Sequence, residues 1–322
     1  MVPIPLFRDI ENLPAQLRGG AVSIGNFDGV HRGHAEIVKR LVARARDVGG
    51  PAVVFTFDPH PIQLLRPDAV PARLSWTRRK ARLLAELGVD AVVAYPTDRE
   101  ILGLSARDFF TQIILERLDS KALVEGPNFF FGRNRTGSVD LLRKFCENDS
   151  LTLDIVEPLK EDGRIVSSSW IRELIAAGEM REAARLLVRP YRIRGSVVRG
   201  AGRGATIGFP TANVEPVDMA TPPLGVYAGR ARTDDDEFPA AINIGPNPTF
   251  GEDRVKFEVH LIGYNQSLYG QVLRVDFLDR LRDIRSFENV AALQKQLACD
   301  LDAVRRICDA SETNESARLR ER

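Results

Sequence analysis

Apolar positions in the first half of the chain fall into short runs separated by stretches carrying a helical stripe. Ala21–Ile24, Pro51–Phe57, Asp90–Tyr95, Lys121–Gly126 and Leu151–Glu157 are such runs. A short, mostly apolar run bounded by Gly, Pro or Asp predicts a strand buried on both faces. Between the first two, Ile37, Val38, Leu41 and Val42 recur at helical spacing, which predicts a helix beginning near His31. Further helices are predicted after Thr77, after Ser105 (ahead of Phe109, Phe110 and Ile113) and through Leu141. Strands alternating with helices predict a doubly wound α/β parallel sheet, with ligands bound beyond the C-terminal ends of the strands.

After about residue 188 the pattern changes. Segments 191–200, 225–233, 237–245, 255–263 and 271–278 are rich in β-branched and aromatic residues and have only turns between them. That spacing predicts an antiparallel barrel or a sandwich. A helix is expected over roughly 286–308, and the polar last dozen residues are expected to fray. The predicted organisation is an α/β domain over 1–186, a β domain over 187–310 and a polar tail over 311–322. The acidic run Asp234–Glu237 reads as a solvated hairpin tip.

Composition narrows the partners. In 322 residues, 45 Lys and Arg nearly cancel 44 Asp and Glu, so a net charge of +1 gives no reason to expect nucleic acid or an acidic membrane surface. No apolar run approaches the roughly 20 residues needed to span a bilayer. The N-terminal stretch has neither the basic start nor the apolar core of a signal peptide, so a cytoplasmic location is expected. Cys146, Cys299 and Cys308 are odd in number and lack metal spacing, which predicts reduced thiols.

Two stretches carry chemistry. In the first, Gly25-Asn26-Phe27-Asp28-Gly29-Val30-His31-Arg32-Gly33-His34 sits where the first long strand hands over to the first helix. His31 and His34 share one helix face near an N-terminus that favours anions, with Gly33 expected to keep the surface open between them. Two imidazoles there can donate to phosphate oxygens as charge builds in a displacement at phosphorus. Further on, Ser167, Ser168 and Ser169 open a helix that carries Arg172, so hydroxyls and a guanidinium are available for phosphate or for capping. The Walker sequence G-x-x-x-x-G-K-[ST] is absent.

His-x-Gly-His followed at a distance by Ser-Ser-Ser-x-x-Arg is the pairing of the nucleotidyltransferase superfamily. With Phe55–Pro61 and Gly126–Gly137 beside it, the segment over about 20–186 resembles the FMN adenylyltransferase half of the bacterial bifunctional riboflavin kinase/FAD synthetase family. The resemblance implies that Gly25, Asn26, Phe27, Asp28, His31 and His34 contact ATP, with both histidines catalytic. It implies that Ser167, Ser168 and Arg172 grip the nucleotide from the other side, and that Asn128 and Asn134 lie on a flavin-side loop. His60 either lines the site or ends a strand structurally. The chain departs from the family at Ser169 (usually Thr), Trp170 (commonly Arg) and Asn128 (usually Asp).

In the second stretch a strand runs into a glycine-rich loop, where N–H groups at Gly200, Gly202 and Gly204 are available to cradle phosphates. Thr211 and Asn213 alternate, so in an extended segment both oxygens face one way as hard ligands suited to Mg²⁺. Glu258 and His260 share a strand face, the first a candidate general base and the second a packing or orienting residue. Residues 197–213, 223–228, 243–250, 257–261 and 268–270, with Arg282 and Phe287, resemble the riboflavin kinase half of the same family. That resemblance implies a six-stranded antiparallel barrel plus a helix, ATP at Gly200, Gly202, Gly204 and Thr211, metal on Thr211 and Asn213, and Glu258 as base. The implied substrates are riboflavin, FMN and ATP, with Mg²⁺ as cofactor and FAD and pyrophosphate as products. Rival readings are an adenylyltransferase for another acceptor, a class I aminoacyl-tRNA synthetase and a nucleotide sensor without turnover.

Overall fold

The computed structural model describes residues 5–200, 202–216, 218–247 and 252–320. They form two compact units, Met1–Ser168 and Ser169–Arg322. In the first, β1 (Leu6–Phe7), β2 (Ala21–Ile24), β3 (Ala52–Phe57), β4 (Ala91–Tyr95), β5 (Ala122–Glu125) and β6 (Thr152–Ile155) form one sheet in the order β1-β4-β3-β2-β5-β6. Every pairing in it is parallel, and β7 (Lys160–Glu161) and β8 (Arg164–Ile165) form a separate antiparallel pair. The runs read as strands are the strands found, because β2 and β5 are buried at every residue and leave no polar face to mark. From β2 the chain winds outward through β3 and β4, then returns to build β5 and β6 on the other side. The topological switch point therefore lies between β2 and β5.

Helix Arg32–Asp47 buries Val38, Leu41 and Ala45. Helix Thr77–Glu86 follows β3, and Val139–Asn148 precedes β6. The helix expected after Ser105 starts there, with the Asp108 N–H donating to the Ser105 hydroxyl at 3.1 Å. It runs as α-helix over Ala106–Phe109 and as π-helical turns over Phe110–Arg117. Phe109, Phe110 and Ile113 join Val22, Val53, Phe55, Val93 and Leu123 in the core of this unit.

The second unit contains a closed antiparallel barrel, which resolves the choice between barrel and sandwich. Its strands are β9 (Tyr191–Val198), β10 (Ala212–Pro216), β11 (Gly225–Arg232), β12 (Glu237–Asn247), β13 (Glu252–Leu261) and β14 (Val272–Arg282), ordered β10-β13-β12-β11-β14-β9. Closure comes from β9 pairing with β10, where Asn213 lies opposite Val198. Tyr191, Tyr227 and Phe277 are fully buried and pack ring against ring. The acidic run lies at the β11–β12 turn, with the Thr233 N–H donating to the Asp236 carbonyl at 2.9 Å.

The compact division falls at Ser168, and helix Met180–Leu186 packs on β14 and β9. The Arg181–Asp279 ion pair tethers it to β14. The closing helix runs Val290–Arg320, so the tail expected to fray continues the helical backbone. Val304 and Cys308 of that helix pack on Ala228 and Leu278 of the barrel. Lastly, Arg203–Thr206 forms a helical turn where an open glycine-rich loop was expected. Pro248, Thr249 and Phe250, part of a quoted motif, lie outside the described residues.

Candidate active sites

The first site is built where β2 leaves the sheet. The turn bends sharply: Phe27, Gly29 and Val30 have φ of 45°, 83° and 46°. A β-branched residue there is strained and persists only where its surroundings dictate it. Asp28 is the dictating group. Its carboxylate accepts the Leu74 N–H at 3.0 Å and the Ser75 N–H at 3.0 Å, and it also takes the Ser75 hydroxyl at 3.1 Å. Ser75 Oγ in turn accepts the Gly29 N–H at 3.0 Å, and the Ser168 hydroxyl donates to the Asp28 carbonyl at 2.9 Å. Asp28, expected to contact ATP, is thus engaged as the anchor of the turn that presents the histidines.

His31 caps the helix Arg32–Asp47. Its Nδ1 accepts the His34 N–H at 3.2 Å, so one of the amides expected to face an anion is already taken. With Nδ1 accepting, the neutral ring carries its proton on Nε2. The two rings stack with centroids 3.5 Å apart and planes 17° from parallel. Burial pulls the pKa of His31 down to about 4 against the attraction of Asp28. Burial, then the neighbouring His31 and Lys80, holds His34 well below the ordinary histidine range. At neutral pH both rings are uncharged donors. His34 Nδ1 is buried and has no hydrogen-bond partner in the protein, the state of an atom that a ligand satisfies.

Gly33 does not leave open space. A Cβ there would meet the His31 ring at 3.1 Å and the Val166 carbonyl at 3.2 Å, so glycine permits close packing against the Ser167–Ser168 segment. Lys80 lies buried beside the pair and donates to Thr56 Oγ1 at 3.3 Å, and Thr56 donates to the Asn26 carbonyl at 3.3 Å. His60 Nδ1 accepts the Ile62 N–H at 3.1 Å, and its Nε2 lies 2.9 Å from the Asn26 side-chain nitrogen Nδ2. His60 is therefore tied to the turn itself. Asn128 and Asn134 are both exposed on the loop that follows β5, Asn134 with φ of 54°. Arg135 lies 4.7 Å over the exposed Phe130 ring on that loop. Arg172 belongs to the second unit, on the helix Ser168–Ala177.

The second site opens in the barrel. Thr211, Asn213, Glu258, His260 and Arg282 line one pocket together with Gly202 and Gly204. Register explains the convergence: Glu258 on β13 stands opposite Asn213 on one side and Asn243 on the other. Asn243 Nδ2 approaches Glu258 Oε2 at 3.5 Å. His260 donates from Nδ1 to the Pro210 carbonyl at 2.6 Å, one residue ahead of Thr211. A Cβ at Gly200 would stand 1.9 Å from Asn213 Nδ2, so glycine is what admits the Asn213 amide here. Arg282 is forked onto the buried Asp300 at 3.0 and 2.8 Å, which fixes its guanidinium 5.7 Å from the Phe287 ring.

Comparison with known proteins agrees with this division. The FAD synthetase family model matches residues 13–170 and the riboflavin kinase model matches 187–308. The chain is 36% identical to a bifunctional riboflavin kinase/FMN adenylyltransferase of Pseudomonas fluorescens over 95% of this chain and 98% of that one. The chain belongs to the bifunctional riboflavin kinase/FMN adenylyltransferase family. Its Escherichia coli K12 relative is 37% identical over 92% of this chain and 95% of its own. A crystal structure described as a macrolide-efflux protein from Streptococcus pneumoniae is similar in fold, with a TM-score of 0.82 at 29% identity over 94% of this chain and 99% of that one. No helix among the described residues is long and apolar enough to cross a membrane.

For this family member, sequence reasoning missed four groups that the sites use. Ser75 and Lys80 carry no motif, and their neighbours Asp28 and Thr56 are distant in sequence. Asp300, which holds Arg282, sits on a helix to which the sequence reading gave no chemistry. Glu125 could have been found, since a carboxyl that ends an otherwise apolar, doubly covered strand is an anomaly in itself. Its pKa is raised well above the carboxylate range by burial, with the Ile24 N–H pulling the other way.

Proposed function

We propose that the barrel unit transfers the γ-phosphoryl group of ATP to the primary hydroxyl of riboflavin, giving FMN. The α/β unit then transfers the adenylyl group of a second ATP to the FMN phosphate, giving FAD and pyrophosphate. The observation that carries this assignment is that each unit holds its own complete set of groups: a stacked, uncharged histidine pair in one, and Thr211, Asn213 and Glu258 in one pocket of the other.

In the barrel, Glu258 takes the hydroxyl proton as the oxygen attacks phosphorus. Asn243 beside it and Asn213 opposite steer that carboxylate toward the pocket. Thr211 and Asn213 offer a hydroxyl and an amide oxygen, neutral hard donors that fit a Mg²⁺ ion completing its shell with phosphate oxygens and water. Bound there, Mg²⁺ would offset charge on the phosphate chain. Gly202 and Gly204 line the phosphate side.

In the α/β unit, His31 donates from Nε2 and His34 lies under it, so charge growing on the α-phosphate meets preorganised donors. Because both rings are neutral, they favour the transition state without trapping the ground-state polyanion through full charge. Asn26, Phe27 and Ser167 complete the nucleotide side, and Asn128 and Asn134 the flavin side. Three free thiols and the two ATP-dependent steps suit a reduced, ATP-rich cytoplasm, where we place the enzyme.

Incubating the protein with ATP, Mg²⁺ and riboflavin and separating the products by chromatography tests the assignment. FMN should form first, followed by FAD and pyrophosphate in equal amounts. Conversion of riboflavin to FMN with no FAD, even with FMN supplied, would contradict the assignment of the α/β unit.

A further inference from the structure

The sheet of the first unit is open at one place. β2 stays paired with β3 to its last residue, Ile24 opposite Phe55, and β5 stays paired with β6 to its last residue, Glu125 opposite Ile155. Between β2 and β5 the ladder ends at Val22 opposite Leu123. The strands diverge at the switch point, where sheets of this kind take their ligands. Divergence deprives the Ile24 N–H of a backbone acceptor on β5, and a buried amide left in that state is unfavourable.

Glu125 Oε1 supplies the acceptor at 2.7 Å, from a residue only 3% exposed. Gly25 follows directly and is held from the opposite side, its N–H donating to the Phe55 carbonyl at 3.0 Å. These two bonds together fix where the turn leaves the sheet. Ala122, Leu123 and Val124 on the same strand are apolar and fully buried, so packing alone would be met by another apolar residue. The carboxyl is the exception, and its bond explains it. Burial pushes its pKa well above the ordinary carboxylate range, against the pull of the Ile24 N–H.

We propose that Glu125 is a positioning residue for adenylyl transfer: by accepting the Ile24 N–H across the gap, it fixes the turn Gly25–His34 against which the ATP phosphates lie. The proposal rests on the adenylyltransferase reading of the first unit. Glu125 acts through Ile24 and touches no reacting atom.

The test compares Glu125→Gln, which keeps a carbonyl oxygen for the amide, with Glu125→Leu, which keeps the bulk and removes the acceptor. In the full-length protein, Glu125→Leu should raise the KM for ATP in FMN adenylylation about tenfold or more, with kcat changed less. The KM for ATP in riboflavin phosphorylation should stay at the wild-type value. Glu125→Gln should restore adenylylation to within about threefold of wild type. Hydrogen exchange of peptides covering residues 22–28 should speed up in Glu125→Leu and not in Glu125→Gln. If Glu125→Leu keeps wild-type kinetics and exchange, or if Glu125→Gln is equally impaired, the proposal is overturned. Failure of the underlying reading looks different: wild-type protein would make no FAD while the exchange difference persisted, and the role in adenylyl transfer would fall with it.

Discussion

At the scale of the residue, burial sets the protonation of the first site. His31 has its pKa pulled down to about 4 by burial, whereas in the unfolded chain it titrates near 6.5. The folded protein therefore binds fewer protons than the unfolded one between these values. The stability this group contributes is present above pH 6.5 and is lost as pH falls toward about 4. Asn also caps helices well and does not titrate in this range. In His31→Asn, the protection of amides in the helix Arg32–Asp47, taken relative to their intrinsic exchange rates, should therefore fall less than in wild type as pH drops from 7 to 4.5; an equal loss of protection would count against a buried neutral ring. Glu125 runs the other way, because its raised pKa contributes stability at low pH that is lost as pH rises through the folded value. In the barrel, Thr211→Ala should slow riboflavin phosphorylation, with the defect easing as Mg²⁺ is raised. Initial rates across a Mg²⁺ series check this, and a defect indifferent to Mg²⁺ would remove Thr211 from the metal site.

At the scale of the element, the loop after β5 is the natural experiment. Asn128 stands there where the family usually has Asp, exposed and two residues from the Phe130 ring that Arg135 covers. Asn128→Asp should change adenylylation by several-fold and leave phosphorylation alone; an effect confined to the kinase step would show the loop serves the other site. The same loop shows what a sequence reveals. β2, β3, β4 and β5 were legible because strands covered on both faces are nearly all apolar. Five of the six barrel strands were legible from spacing and turns; β10, which carries Asn213, was not read as a strand. β1 was not, since two residues at a sheet edge carry no period. The helical turn Arg203–Thr206 was hidden by glycines, which signal a loop by propensity alone. The motif histidines, Glu258 and the Thr211–Asn213 pair were legible as residue types. The partners that fix them were not, because Asp28 meets Ser75 and Arg282 meets Asp300 only through tertiary folding.

At the scale of the whole molecule, two units each own a core and a candidate site. Within the second, Arg172 lies on the helix Ser168–Ala177, and the helix Met180–Leu186 packs on β14, burying Met180 and Leu186. The sequence places the boundary at 186, just ahead of the change to consecutive strands near 188; an amphipathic pattern says that a helix is buried, not against which unit. A barrel fragment starting at 169 should melt several degrees above one starting at 187, because the latter exposes apolar surface on β14. Equal melting temperatures would return the boundary to 186. The central claim is that the two chemical steps run at separate sites, and one paired assay tests it. Initial rates of riboflavin phosphorylation and of FMN adenylylation are measured on His31→Ala/His34→Ala and on Glu258→Gln, each checked for intact folding. The histidine variant should lose about 10²-fold or more in adenylylation and keep phosphorylation, as expected when transition-state donors are removed. Glu258→Gln should lose about 10²–10⁴-fold in phosphorylation, the range for a general base, and still convert supplied FMN to FAD. If either folded variant loses both activities together, the account of two independent sites is contradicted.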